Sequence, residues 1–218
     1  MIKELVIIGA GGFGREASLL VEDINQATEG SKWNLLGFID EDQALKGKVM
    51  RGYPVIGGWE VLAELPRDAR VICVVGEPAA KRKLVEKALS MGRDFATVIH
   101  PEVKLAGDVE VGRGVLINKG CLLTTNIKIG DHVSVNPGCG IGHDAVIGDF
   151  STLMWRVNIS GNVRIGEGCL LGTGATVLQG LSVGAGTVIG AGAVVTKDIP
   201  GNCTAVGVPA QVIKGEST

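Results

Sequence analysis

A six-residue period in the second half of the chain constrains the fold more than any other feature. From Ile99 to Val195 every sixth residue is aliphatic, 17 positions in succession. Because apolar residues fill roughly half of an average sequence, chance produces such a run about once in 10⁵ registers. Two positions before these residues, from Val103 to Ala175, the side chains are small or β-branched. Alternating inward side chains of this size predict short strands around a narrow interior.

A longer period of 18 residues lies within the shorter one. It is marked by glycines that follow every third aliphatic position: Gly112, Gly130, Gly148, Gly166 and Gly184. Three short strands per coil predict this spacing, with one corner that needs glycine for a positive φ or for close backbone approach. A thin prism also accounts for 34 glycines and only 4% aromatic residues. We therefore predict a parallel β-helix of about five coils, since an ordinary β-sandwich does not keep an 18-residue repeat.

The first hundred residues follow a different pattern, in which strands and helices alternate. The predicted strands are 5–8, 35–39 and 71–75, and the predicted helices are 15–24, 59–65 and 78–91. This order predicts a small α/β domain with a parallel, Rossmann-like sheet. We place this domain at residues 1–98 and the β-helix with its C-terminal cap at residues 99–218.

A glycine-rich turn joins the first predicted strand to the first helix. Gly9, Gly11 and Gly14 fit the pattern G-x-G-x-x-G, and Asp40 ends the second strand. Backbone N–H groups at such a helix start can bind a phosphate. The domain has only half the size of a full dinucleotide site. A tight turn without any ligand uses glycines in the same way, so both interpretations stay open here.

Charge and composition exclude several classes of partner. The net charge is -2 and no basic run occurs, which argues against nucleic acid. No apolar stretch reaches the roughly 18 residues that span a bilayer, so we expect no membrane insertion. The N-terminus lacks a signal-peptide cleavage site, and we expect a cytoplasmic protein. The five cysteines are scattered without a C-x-x-C pair, which predicts reduced core residues rather than disulfides or metal ligands.

The three histidines differ in their surroundings. His100 precedes Pro101 at the domain junction, where a turn role is expected, and His132 is expected to be solvated at a corner. His143 lies in the corner sequence 140–144, with glycines nearby that remove steric cover. Gly161 follows it by one 18-residue period and should lie about 4.8 Å away on the next coil. A base beside an uncovered backbone N–H suits acyl transfer.

The repeat, together with the C-terminal segment 205–210, resembles the hexapeptide-repeat acyltransferases. Over its whole length the chain resembles the bacterial sugar acyltransferases of the sialic acid O-acetyltransferase and nucleotide-aminosugar N-acetyltransferase type. This resemblance implies a left-handed β-helix, a homotrimer with clefts between subunits, acetyl-CoA as co-substrate and no metal. It also implies that the N-terminal domain binds a sugar nucleotide.

The resemblance assigns roles to individual residues. His143 matches the general base and Asp144 its orienting acid. Contacts with acetyl-CoA are implied for Gly161, Thr152, Gly172, Gly190 and Lys197. Contacts with the sugar nucleotide are implied for Gly11, Gly12, Phe13, Gly14, Asp40 and Asn136. The chain departs from the family at Thr152, where some relatives have a second histidine, at Trp155 and Arg156, where relatives often have Pro-Gly, and at Gln211, where a basic residue is usual.

The leading hypothesis is transfer of an acetyl group from acetyl-CoA to the amine of a nucleotide-linked amino-deoxysugar. O-acetylation of sialic acid or another sugar is the second enzymatic interpretation, and a non-catalytic sugar-nucleotide-binding protein is the third. A zinc-dependent γ-type carbonic anhydrase needs three histidines drawn together across subunits, and the spacing of the histidines disfavours it. The nucleotide base, the sugar, the acceptor atom and the acyl length stay open.

Overall fold

The computed structural model describes residues 3–27 and 32–215. The chain forms two compact units, Met1–Pro101 and Glu102–Thr218. The first is an α/β domain and the second is a left-handed parallel β-helix, as the sequence predicts. None of the helices in the described ranges combines the length and the apolar character needed to cross a membrane.

The first unit is a Rossmann-like domain built on a six-stranded sheet. Its elements are β1 (Lys3–Ile8), α1 (Gly12–Ala27), β2 (Trp33–Ile39), a 3₁₀ turn (Gln43–Leu45), β3 (Val49–Met50), β4 (Tyr53–Gly57), α2 (Glu60–Glu64), β5 (Arg70–Cys73), α3 (Pro78–Ser90), β6 (Asp94–Phe95) and β7 (Val98–Ile99). The sheet order is β3-β4-β2-β1-β5-β6, and all pairs are parallel except β3–β4. The apolar runs of β1 and β5 are fully buried at its centre.

The antiparallel hairpin of β3 and β4 is absent from the sequence-based prediction. Its turn residues Arg51 and Gly52 both have positive φ, 49° and 84°. This is the geometry of a two-residue hairpin turn that matches the strand twist. The usual sequence signal is Asn-Gly or Asp-Gly, and arginine at the first position hides it.

The second unit winds through three parallel faces, with one strand per face and coil, and each strand up to Val195 is two residues long. Face one contains Glu110–Val111, Lys128–Ile129, Val146–Ile147, Arg164–Ile165 and Ser182–Val183. Face two contains Leu116–Ile117, Ser134–Val135, Thr152–Leu153, Leu170–Leu171, Val188–Ile189 and Cys203–Val206. Face three contains Leu122–Leu123, Gly140–Ile141, Asn158–Ile159, Thr176–Val177 and Val194–Val195. The last strand, Gln211–Gly215, pairs antiparallel with Cys203–Val206.

The interior of the prism contains the side chains that the six-residue period selects. From Ile117 to Val195 most of the aliphatic positions are at most a few per cent exposed, and the preceding small residues such as Val133 and Ala175 are fully buried. Ser151 and Thr187 are polar and fully buried at such positions. The Ser151 hydroxyl donates to the Gly166 carbonyl and accepts from the Cys169 N–H, and the Thr187 hydroxyl donates to the Pro200 carbonyl. All five cysteines are buried and free, as predicted.

The glycines at the 18-residue spacing are required by close backbone approach. None of them has a positive φ. A Cβ atom on Gly148 would lie 2.6 Å from the carbonyl carbon of Gly166 on the next coil. The same overlap recurs along the column, for example between Gly166 and the backbone of Ala185. Of the two reasons considered for glycine at this corner, only the steric one holds.

Two expectations about single residues are wrong. Leu105 belongs to the aliphatic series, but no strand forms there and the side chain is 38% exposed. The first strand within the second unit is Glu110–Val111. His132 is not solvated, because its ring stacks on Phe150 with the centroids 5.0 Å apart and only 7% of the residue is exposed.

Candidate active site

His143 and Asp144 form an exposed pair at the corner that follows face three. We call this turn, formed by residues 125–126, 143–144 and 161–162 in successive coils, the His143 corner. Asp144 has a φ of 62°, a left-handed conformation that aspartate tolerates better than most residues. The distance from His143 Nδ1 to Asp144 Oδ2 is 2.7 Å, and about half of each side chain is exposed.

The carboxylate of Asp144 fixes the proton on one ring nitrogen of His143. The hydrogen bond from His143 lowers the pKa of Asp144, and a second hydrogen bond from Asn126 lowers it further. A charged carboxylate only accepts hydrogen bonds, so Nδ1 carries the proton in the neutral imidazole. Nε2 is then left as a proton acceptor that points away from the pair.

Gly161 lies directly against the imidazole of His143. A Cβ atom on Gly161 would be 2.5 Å from His143 Cε1 and would also overlap Nε2. The carbonyl of His143 accepts a hydrogen bond of 2.6 Å from the Asn162 N–H, which ties the two coils together here. No described residue accepts a hydrogen bond from the Gly161 N–H. A base and a free backbone donor therefore lie side by side, the arrangement that acyl transfer requires.

The other residues implied for the β-helix site lie in different surroundings. Asn136 is buried, and its side-chain amide donates to the Leu153 carbonyl at 3.0 Å. Thr152 is completely buried on face two. Their contacts with substrates stay predictions.

Of the remaining residues implied for coenzyme A, two glycines already have a steric role within the chain. A Cβ on Gly172 would meet the backbone of Ala191 at 2.5 Å, and one on Gly190 would meet Val206 Cγ1 at 2.7 Å. Lys197 is exposed, with Nζ 3.5 Å from Gln211 Oε1. A role of these residues in binding coenzyme A stays a prediction.

One side of the glycine-rich turn of the first unit packs closely within the domain, and the other side is exposed to solvent. Gly9 has a φ of 105°, and a Cβ on Gly14 would overlap the Gly9 carbonyl, so α1 packs closely onto the turn. Gly11 and Gly12 are exposed, and Phe13 is partly exposed. A Cβ on Gly11 would have no atom within 4 Å. No described residue accepts a hydrogen bond from the N–H groups of Gly12 and Phe13, so the start of α1 keeps the donors that a phosphate site requires.

Asp40 holds the glycine-rich turn in place. Its Oδ2 accepts from the Ala10 N–H at 2.9 Å and its Oδ1 accepts from the Asp42 N–H at 3.0 Å. Each oxygen keeps one further lone pair for a ligand. The structure thus shows a positioning role for this carboxylate, and its predicted contact with base or ribose is left as a prediction.

A cleft of about 140 Å³ opens at the carboxyl ends of β1 and β2, where ligands bind in sheets of this type. Its walls include Asp40, Glu41 and Trp59. The Trp59 Nε1–H and the Lys87 ammonium both donate to Glu41 Oε1, at 2.5 and 3.2 Å, and these bonds lower the pKa of Glu41. The Lys87 Nζ also lies 4.4 Å from the centre of the Trp59 ring.

Sequence reasoning missed Glu41, Trp59, Lys87 and Asn126. The first three are separated by up to 46 positions and meet only through the fold. Asn126 had a signal, because it precedes Asp144 by one 18-residue period.

The histidines do not converge in the described ranges. His100 Nε2 lies 3.2 Å from Asp23 Oδ2, whereas His132 stacks on Phe150 and His143 pairs with Asp144. Within residues 3–27 and 32–215, no three His, Cys, Asp or Glu side chains lie close enough to hold a metal ion.

Comparison with protein families gives two matches. Residues 4–88 match the PglD N-terminal domain, and residues 156–197 match the bacterial transferase hexapeptide (six repeats). No curated protein sequence matches the chain.

Several solved structures are similar over nearly the whole chain. PerB from Caulobacter crescentus, solved with CoA and GDP-perosamine, is 31% identical with a TM-score of 0.84, and the match covers 96% of each chain. The acetyltransferase domain of PglB from Neisseria gonorrhoeae is 31% identical with a TM-score of 0.84, covering 97% of this chain and all of that one. WeeI from Acinetobacter baumannii has the same identity and TM-score, with 98% of this chain and 100% of its own covered.

Proposed function

The chain belongs to the bacterial hexapeptide-repeat sugar acetyltransferases, and we propose that it transfers an acetyl group from acetyl-CoA to the amine of a nucleotide-linked amino-deoxysugar. The observation that carries this proposal is the His143–Asp144 pair lying against Gly161. The C. crescentus relative is a perosamine N-acetyltransferase, solved with CoA and GDP-perosamine, and the PglB domain has been solved with acetyl coenzyme A.

In the proposed reaction, the His143–Asp144 pair moves one proton from the amine to the departing thiolate. As the neutral amine attacks the thioester carbonyl, His143 Nε2 accepts the proton that the nitrogen loses. The Gly161 N–H donates to the carbonyl oxygen as negative charge builds on it. The C–S bond then breaks, and the imidazolium returns its proton to the departing thiolate. Asp144 stays charged throughout and stabilises the imidazolium.

In this proposal the first unit binds the nucleotide part of the acceptor. The open N–H groups at the start of α1 hold the phosphates, and the cleft beside Glu41 and Trp59 receives the base. Asn136, Thr152, Gly172, Gly190 and Lys197 are proposed to contact the substrates around the β-helix.

We further propose that the active unit is a homotrimer with its clefts between neighbouring β-helices, working in the cytoplasm where acetyl-CoA is available. Exposed apolar side chains on the second unit, such as Leu122 and Trp155, offer surfaces for such contacts. Sedimentation analysis tests the assembly: a monomer at micromolar concentration contradicts it.

The enzymatic test is thiol release from acetyl-CoA with a panel of UDP-, GDP- and dTDP-linked 3-amino and 4-amino sugars. Sialic acid and serine serve as hydroxyl and amino acid controls. Turnover on one amino-sugar nucleotide, lost in His143→Ala, supports the proposal. Arg113→Ala is the matched control, because Arg113 is exposed at a different corner and should retain full activity.

The other outcomes separate the alternatives. Turnover on sialic acid alone identifies an O-acetyltransferase and contradicts the choice of an amine acceptor. Binding of a sugar nucleotide by calorimetry without any thiol release identifies a binding protein. Normal kcat in a folded His143→Ala variant overturns the assigned base.

A further inference from the structure

A column of short polar residues runs down the His143 corner. Asp108, Asn126, Asp144 and Asn162 are separated by 18 residues each, and the last three have φ between 52° and 62°. Aspartate and asparagine tolerate this left-handed conformation better than other residues with a Cβ, although glycine adopts it most readily. Backbone conformation alone therefore does not explain asparagine at position 126, and its contacts have to be considered.

The side chain of Asn126 contacts the catalytic pair. Its Nδ2 donates to Asp144 Oδ1 at 2.6 Å, and the other carboxylate oxygen, Oδ2, is 2.7 Å from His143 Nδ1. A carboxylate has only acceptor atoms. The NH₂ of the Asn126 side chain must therefore face it, and not the side-chain carbonyl oxygen. With one partner on each oxygen, the plane of the Asp144 carboxylate is fixed. Both bonds favour the charged form, and together they lower the pKa of Asp144.

Asn126 is itself held from the coil below. Asp108 Oδ2 accepts from the Thr125 hydroxyl at 2.5 Å. The Asn126 backbone N–H also donates to Asp108, and these two bonds lower the pKa of that carboxyl group. The Thr125 carbonyl in turn accepts from the Asp144 N–H at 3.2 Å. The amide of Asn126 therefore projects from an anchored turn toward a fixed target.

We propose that Asn126 is a positioning residue that orients the Asp144 carboxylate. The oriented carboxylate holds the proton on His143 Nδ1 and fixes the direction in which Nε2 points. This inference rests on the proposed function for its kinetic consequence only. The contact itself can be tested in the folded protein without turnover.

The first test replaces Asn126 by glycine, which keeps the positive φ and removes the amide. We expect kcat to fall by about 5- to 10-fold, because small misplacements of a catalytic group are costly, while KM for both substrates changes less than twofold. Asn202→Gly is the control, since Asn202 also has a positive φ (53°) but lies in the last coil. A kcat for Asn126→Gly within twofold of that of the original protein overturns the proposal.

The second test is Asn126→Asp, which keeps shape and φ but replaces the donor by a negative charge. A further carboxylate near His143 should raise the pKa of its imidazole. NMR titration reads this directly, with the His143 signal assigned from its loss in His143→Ala. An upward shift of about half a unit or more in Asn126→Asp supports the contact, and an unchanged titration overturns it. If the original protein shows no turnover, the proposed function fails while this titration still decides the role of Asn126.

Discussion

Substituting Gly161 by alanine tests whether His143 acts as a base from the position that its imidazole occupies against Gly161. The new Cβ would lie 2.5 Å from His143 Cε1, about 0.9 Å short of ordinary van der Waals contact. Because Gly161 does not have a positive φ, alanine fits the backbone. The half-exposed imidazole has open space on its other side, so we expect it to move by about 1 Å.

A displacement of about 1 Å at a reacting group can lower the rate about 100-fold. We therefore expect kcat of Gly161→Ala to fall by about two orders of magnitude in the thiol-release assay. Alanine keeps the backbone N–H at position 161. The fall in kcat would therefore report the displacement of the imidazole alone, and not the removal of the N–H donor. The melting temperature should change little, because the displaced ring is solvent-exposed rather than packed in the core.

Gly107→Ala is the matched control for this substitution. Gly107 lies in the same unit and does not have a positive φ, and a Cβ on it would have no atom within 4 Å. It should keep full activity. If Gly161→Ala retains kcat within threefold while folding normally, the imidazole does not act from the position it occupies over Gly161, and the assignment of base and donor is refuted.

Three other substitutions probe the His143–Asp144 pair, the cleft beside Glu41 and the buried amine of Lys81. Asp144→Asn should lower kcat about 10- to 100-fold with KM little changed, because the amide no longer stabilises the imidazolium; unaltered steady-state kinetics would contradict this. Glu41→Gln removes the charge that Lys87 contacts in the cleft, so KM for the sugar nucleotide should rise several-fold while KM for acetyl-CoA stays constant. Burial lowers the pKa of Lys81 to about 7. Above that pH the unfolded state binds more protons than the folded state, so the protein becomes more stable as the pH rises. The free energy of unfolding should rise by about 1 kcal/mol per pH unit between pH 7.5 and 8.5. Denaturant titrations of Lys81→Met should show no such rise with pH. The pH range ends near 8.5 because burial also raises the pKa of Cys73 to about 12, and this shift lowers the free energy of unfolding as the pH rises further.

The fold of the second unit could be predicted because its sequence repeats the same steric requirement in every coil. Each coil needs inward aliphatic side chains, and the column from Gly112 to Gly184 needs residues without a Cβ. A requirement repeated this often is visible without any structure. The adjacency of Gly161 and His143 follows from the same period.

Contacts that occur only once could not be predicted in this way. The burial of His132 depends on the ring of Phe150, which the period places one coil away but whose orientation it does not give. The meeting of Glu41, Trp59 and Lys87 depends on where the fold places the start of α2 and the side of α3 relative to the residues that follow β2, and no sequence spacing encodes that placement. Periodicity thus predicts the scaffold and the register of the site, whereas side-chain partners need the folded chain.

The position of the His143–Asp144 pair at a corner has a physical reason. In a strand, consecutive side chains point to opposite faces, so a histidine and the following aspartate could not meet. The positive φ of Asp144 reverses its direction and brings Oδ2 to 2.7 Å from His143 Nδ1. The same corner presents the backbone of Gly161 beside the ring, because the next coil repeats the turn. A β-helix corner can therefore join base, orienting acid and amide donor within two coils, and the residue required at position 144 is one that combines a carboxylate with tolerance for left-handed backbone.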